Sequence, residues 1–190
     1  MCYKLGALSL PRVVIAALGA LVLAAFVAQL AGGLDASVFT LGAMAATLCV
    51  FLAASVAGSW VLGRVFSSHP SIESALITGL ILWFVYWPSL EPKALAWFAV
   101  IALLAQASKY LIAWRGRHIV NPVAAGILLS LGLARIAGIE SMPFTSWWIA
   151  NEVLFWPVLA VGLVVLWRTG IFLMPWIFAV SAGVWVVLSM

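Results

Sequence analysis

Apolar residues fill most of the chain in long runs, and polar residues gather in the short breaks between them. The runs cover residues 13–32, 37–63, 72–87, 94–114, 123–134, 147–167 and 171–190. A helix needs about 20 apolar residues to cross a bilayer. Most of the runs meet that length; the third and fifth are short. The breaks carry start and stop signals. Gly32, Gly33 and Asp35 close the first run, Pro70 and Ser71 precede the third, and Pro88, Glu91 and Pro92 separate the third from the fourth. Asn121-Pro122 opens the fifth, because Asn caps free N–H groups and Pro fits a first helical turn. Pro157 is expected to kink the sixth run. The predicted fold is an all-α polytopic membrane helix bundle. It forms one integral membrane domain over 1–190, with about seven transmembrane helices, the third and fifth short.

Two runs carry small residues in positions that matter for packing. The second contains Gly42, Ala45, Ala46, Ala53, Ala54 and Gly58, and such surfaces let helices approach closely inside a bundle. The fifth begins with Ala124-Ala125-Gly126. That thin first turn admits another backbone, or a flat ligand, at close range.

Composition sharpens the class. The 190 residues are 67% hydrophobic and 7% charged, where a soluble domain carries about 25% charged residues. The net charge of +4 needs no nucleic-acid partner, since no basic stripe exists to track a phosphate backbone. With the N-terminus cytoplasmic, Lys4, Arg12, Arg64, Lys109, Arg115, Arg117 and Arg168 fall inside. Lys93, Arg135, Asp35, Glu91 and Glu140 fall outside. This matches the positive-inside rule and points to a multi-pass protein of the cell inner (plasma) membrane. Trp60, Trp114 and Trp167 at inner ends, with Trp87, Trp147 and Trp148 at outer ends, read as interfacial belts. The first run is too long for a signal peptide and reads as a retained span. The last run stops without a polar tail, as in a polypeptide shorter than its relatives or cut short. Cys2 and Cys49 form no ligand motif. An inert thiol is the simpler reading of each, against a cysteine donated to a cluster shared with a partner protein.

Candidate chemistry concentrates in one stretch, residues 108–122, which holds Ser108, Lys109, Arg115, Arg117, His118 and Asn121. It joins two apolar runs, so its charges sit at the mouth of the bundle. The following helix aims its partial positive end at them, which suits an anionic or electron-rich group. A basic loop that only fixes topology is the plainer alternative. The third and fifth runs both start on this side. Paired short helices are a sequence pointer to a membrane-embedded site.

Ser108-Lys109-Tyr110-Leu111, Arg115-Gly116-Arg117-His118-Ile119 and Asn121-Pro122 together resemble one family. It is the membrane-subunit family shared by two redox complexes. Its members are the B-type membrane component of the Na⁺-translocating NADH:quinone reductase and the D-type membrane component of the Rnf electron transport complex. Ser74-Ala75-Leu76-Ile77-Thr78-Gly79-Leu80-Ile81-Leu82 followed by Pro88 is similar to an early helix of the same family, in the same order and spacing. The resemblance covers about residues 71–132. It implies a flavin-binding electron-transfer subunit working between a cytoplasmic donor and a partner subunit of a membrane redox complex, or a quinone. It also implies a cofactor loop of Lys109, Gly116, Arg117, His118, Asn121 and Pro122, with Thr78 and Gly79 on the neighbouring helix. The chain departs from the family in having about seven spans rather than about ten, and in lacking the threonine motif of covalent attachment. Thr145 lies in a remotely similar place with the wrong neighbours. The cofactor expected is therefore riboflavin or FMN held non-covalently.

The residues also allow plainer roles. Arg115 and Arg117 serve topology, Asn121 serves as a cap, and Glu73 serves as a first-turn acid matching the helix dipole. Gln106 and Ser108 are placed to bond between helices. Glu152 reads either as a rim carboxylate or as part of a proton or cation path. Nothing forms a catalytic triad, metal cage or phosphate loop. The alternatives to a flavin subunit are a small-solute or ion transporter and a membrane scaffold without cofactor.

Overall fold

The computed structural model describes residues 9–68, 70–114, 117–139, 142–143, 145–149 and 151–169, and at 114, 117, 118, 166, 168 and 169 the backbone alone. The predicted seventh run, with Lys4, His69, Arg115, Gly116 and Glu140, lies outside the described residues. Six helices follow one another: α1 (Leu10–Leu30), α2 (Leu41–Val65), α3 (Ile72–Val85), α4 (Pro92–Leu111), α5 (Pro122–Ile136) and α6 (Phe155–Thr169). Three of them, α1, α2 and α4, are long and apolar enough to cross a bilayer; the others are shorter apolar helices. The protein is an all-helical membrane bundle. Its small exception is a hairpin between α4 and α5, where β1 (Ala113–Trp114) pairs antiparallel with β2 (Arg117–His118).

Three helices, α2, α3 and α5, begin where a side chain satisfies a free N–H group. Thr40 accepts from the Ala43 N–H at 3.1 Å, Ser71 from the Ser74 N–H at 3.2 Å, and Asn121 from the Val123 N–H at 3.0 Å. Pro122 follows Asn121 in the first turn, as predicted. Gly32 and Gly138 end α1 and α5 with φ of +73° and +66°, a backbone that glycine adopts without Cβ strain.

Two contacts define one end of the bundle, the proximal end. Arg12 at the start of α1 pairs with Glu73 at the start of α3, at 2.9 Å. Lys109 at the finish of α4 donates to Ser74, also at the start of α3. The hairpin and the start of α5 join them there. Along the bundle α2 lies against α3 and α4, α5 against α4, and α1 against α3 and α6. Glycines set the close approaches. A Cβ at Gly126 would lie 2.7 Å from Ala105 Cβ and 3.0 Å from the Ile101 carbonyl oxygen. The thin turn of α5 is thus filled by α4, not by a ligand.

The distal end holds the main corrections. α3 has 14 residues, about 21 Å of helix, against a hydrocarbon core of about 30 Å. Its last carbonyls need donors, because lipid offers none. The chain supplies them from the α5–α6 connection. Trp148 Nε1 donates to the Trp83 and Tyr86 carbonyl oxygens at 2.9 and 3.1 Å. The Ser146 N–H donates to the Val85 oxygen at 2.8 Å, and Tyr86 bridges to Thr145. Trp148 is 6% exposed, so it plugs the bundle where an interfacial belt was predicted. Its ring packs on Phe39, Trp83 and Phe84.

Because the plug uses the start of the predicted sixth run, that helix begins at Phe155 and not at residue 147. Asn151 accepts from the Leu154 N–H at 2.9 Å and donates back to the Trp148 carbonyl at 3.1 Å, which holds the intervening turns. Pro157 consequently falls in the first turn of α6. Its missing N–H has no intrahelical partner there, so the reason for a kink disappears. Glu152 is exposed in the turn before α6, on the rim and not inside the bundle. Cys49 is also exposed, turned outward from α2. Ser108 bonds the Ala105 carbonyl of its own helix at 2.8 Å, where an interhelical bond was expected.

Candidate functional site

The proximal end contains a cleft of about 280 Å³ between the starts of α1, α3 and α5. Pro11, Ser71, Ser74, Ile77, Thr78, Ile81, Asn121, Pro122 and Val123 line it. The spacing of Ser71, Ser74 and Thr78 places three hydroxyls along one stripe of α3. The capping bond of Asn121 fixes its carbonyl oxygen on the helix and leaves its amide nitrogen free to donate. Thr78 Oγ1 donates to the Ser74 carbonyl at 2.8 Å.

Lys109 reaches the same turn from α4. Its Nζ lies 3.1 Å from the Ser74 carbonyl oxygen and 3.0 Å from Ser74 Oγ. Both acceptors are neutral. The single ion pair among the described residues is Arg12–Glu73, so no described carboxylate offsets the Lys109 charge. A half-buried ammonium held this way attracts an anionic or electron-rich group far more strongly than it would in water.

The structure therefore brings Thr78, Asn121 and Pro122 to one cleft and places Lys109 behind its polar wall. Gly79 is not part of it. A Cβ there would meet the Phe51 carbonyl oxygen at 3.0 Å and Ser55 Oγ at 3.2 Å, so Gly79 serves the α2–α3 contact. The backbones of Arg117 and His118 form β2, just before Asn121. Gly116 lies outside the described residues. The residue that links the site, Ser74, carries a signal in its spacing from Ser71 and Thr78 at helical period. Glu73 is the first-turn acid the sequence predicts, and it pairs with Arg12 at 2.9 Å.

A larger groove of about 510 Å³ runs between α4 and the α5–α6 connection, lined by residues including Glu91, Lys93, Trp97 and Met142. It contains none of the sequence-predicted site residues. No cluster of three His, Cys, Asp or Glu side chains that could hold a metal ion occurs among the described residues.

The fold and the cleft define a class: a membrane-embedded helix bundle with a cleft of mixed apolar and hydroxyl lining at one end, Lys109 behind its wall, and an aromatic plug at the other. Comparison with family models, with curated proteins and with solved structures gave no match.

Proposed function

We propose that this chain is a flavin-binding electron-transfer subunit of a membrane redox complex, similar to the D-type membrane component of the Rnf electron transport complex. The observation that carries the proposal is the convergence of Thr78, Asn121 and Pro122 on one cleft, with the Lys109 ammonium bonded into its wall. These positions are far apart in sequence and belong to the two separate patches of the resemblance.

The donor set suits an isoalloxazine ring. Ile77, Ile81 and Pro122 offer apolar walls, while Asn121 and Thr78 sit at the polar edge. The volume lies just below that of ordinary ligand pockets, about 300–1,000 Å³. It accommodates a flat ring and leaves a ribityl chain outside, which favours riboflavin or FMN over a dinucleotide. When bound, the ring would supply one- and two-electron redox chemistry. The protein's part is to orient the ring through Asn121, exclude water with the apolar walls, and favour negative charge through Lys109.

The proximal end would face the cytoplasm of a plasma-membrane protein. Arg12, Arg64 and Lys109 lie at that end beside Glu73, while Asp35, Glu91 and Glu152 lie at the other with Lys93 and Arg135. Excess basic charge on one side supports that orientation. A cytoplasmic donor would then meet the cleft directly, and a partner subunit or quinone would take the electrons onward.

The test is the visible spectrum of the protein purified in mild detergent. Flavin absorbance that bleaches with dithionite is expected. Lys109→Met should lower flavin occupancy at limiting cofactor several-fold, since it removes the uncompensated charge behind the wall. A colourless protein that takes up neither riboflavin nor FMN would end the proposal.

A further inference from the structure

Gln106 of α4 is wholly buried, and neither its Oε1 nor its Nε2 has a partner among the described residues. Ser55 Oγ of α2 is equally buried and equally without a partner. A buried amide left unbonded is strongly unfavourable, and lipid cannot relieve it. Native proteins usually resolve such groups with water.

The two groups share a junction of α2, α3 and α4. A Cβ at Gly58 would touch Gln106 Cβ and Cγ at 3.4 Å, so the glutamine stem crosses α2 at Gly58. Ser55 is one turn away on the same face of α2. Its hydroxyl lies 3.2 Å from where a Cβ at Gly79 of α3 would stand. Lys109 follows Gln106 by one turn on α4 and bonds Ser74, while Thr78 follows Ser74 by one turn on α3. Polar groups thus continue inward from the proximal cleft. Toward the distal end an aromatic trio follows, Phe51, Phe98 and Tyr86. The Phe51–Phe98, Tyr86–Phe98 and Phe51–Tyr86 ring centroids are 4.9, 5.5 and 5.7 Å apart.

We propose that Gln106 and Ser55 bind water inside the bundle, at the blind end of a hydrated track that starts beside Lys109. A buried water needs about two to four polar partners. Gln106 Nε2 donates, Gln106 Oε1 accepts, and Ser55 Oγ does either. The aromatic trio packs on the distal side of the pair, and the polar groups lead toward the proximal side. The proposal is independent of flavin: a colourless protein would leave it standing.

The chain contains two glutamines, Gln29 and Gln106, which makes the test direct. Protein labelled with ¹⁵N-glutamine is placed in lipid bilayers, and magnetisation transfer from water to the side-chain amides is followed by solid-state NMR. Gln29→Leu assigns the remaining signal to Gln106. Build-up at the Gln106 amide is expected, and Ser55→Ala should slow it at least about threefold. An amide that stays dark while loop residues saturate overturns the proposal, as does build-up indifferent to Ser55→Ala. A double-mutant cycle of Ser55→Ala and Gln106→Leu gives a second readout through the unfolding equilibrium. The two residues make no direct bond, so a shared water predicts coupling of at least about threefold. Strict additivity overturns it.

Discussion

The two ends of α3 face the same problem and meet it differently. Both lie on a helix too short to cross a bilayer unaided. At the distal end the chain folds back on itself, and the Trp148 indole and the Ser146 N–H occupy the free carbonyls. At the proximal end Ser71 caps one N–H, and the space beside Ser74 and Thr78 stays open, with a cation bonded into its wall. One end is completed by the chain's own side chains; the other keeps an open cleft beside its polar stripe. The difference separates structural polarity from functional polarity. A donor matched to an acceptor at about 3 Å and sealed by aromatic rings is there to hold the fold. A charge bonded only to neutral groups beside a cleft keeps its field uncompensated there, which is what the proposed function uses.

The largest expected effect tests the closed end. Trp148→Ala removes a buried aromatic ring and strands two carbonyl oxygens. Loss of about 3–5 kcal/mol is expected from the ring alone, read as earlier thermal unfolding in detergent. Trp148→Phe keeps most of the ring and removes the donor, so about 1–3 kcal/mol should be lost. Should both variants unfold like the parent, the plug would be an incidental contact and the contrast between the ends would fail.

A middling effect tests whether the open end depends on helix packing. Gly126→Ala pushes a methyl against Ala105 Cβ and the Ile101 carbonyl, both within 3.0 Å. Overpacking of this kind is expected to remove about 1–3 kcal/mol. It should also widen the cleft, because α5 carries Asn121 and Pro122. Flavin affinity should therefore fall with stability in this variant, whereas Trp148→Phe should lower stability alone. Gly132→Ala provides the control on the same helix. Nothing lies within 4 Å of its Cβ position, and alanine favours helix by about 1 kcal/mol over glycine. Unfolding should shift slightly upward or not at all.

Much of this bundle was legible in the sequence, and the misses share a cause. Helix starts at Ser71 and Asn121-Pro122 and stops at Gly32 and Gly138 follow from local chemistry, which a single sequence displays. The cleft was legible in part: Asn121 and Lys109 stand out as polar groups at helix ends, while mid-helix Thr78 was named only through the resemblance. The plug was not. Trp147 and Trp148 open an apolar run, and nothing local says that one of them turns inward to cap a helix more than sixty residues away. The same holds for Pro157, whose effect depends on where α6 begins, and that start is set by Asn151 and the buried Trp148. Gly79 misled for the converse reason. Its neighbour Thr78 faces the cleft, while Gly79, a third of a helical turn on, faces α2. Periodicity gives the angle between such neighbours but not which helix stands on either side.

The smallest effect sharpens the comparison by separating depth from position. Asp35 sits near the distal end, yet in the exposed α1–α2 connection. Its Oδ1 accepts from the Ser37 hydroxyl at 2.7 Å and from the Ser37 N–H at 2.9 Å. The hydroxyl and then the backbone bond hold its carboxyl below the usual aspartate value, with little opposing desolvation. A carboxyl depressed in the folded state adds stability above its unfolded pKa and gives it up as pH falls through the folded pKa. The contribution should therefore be complete at neutral pH and fade below about pH 4, the ordinary aspartate range. Solvent screens it throughout. Asp35→Asn keeps an acceptor oxygen for Ser37 and removes the charge, so its Tm at neutral pH should sit within about 2 °C of the parent. The gap should close further in acid, where the parent's carboxyl is protonated too. A loss at Asp35 comparable to that of Trp148→Phe would mean that the distal connections act as one unit with the plug. A negligible loss would confine the structural role to the buried part of that end, where donors and acceptors meet out of reach of water.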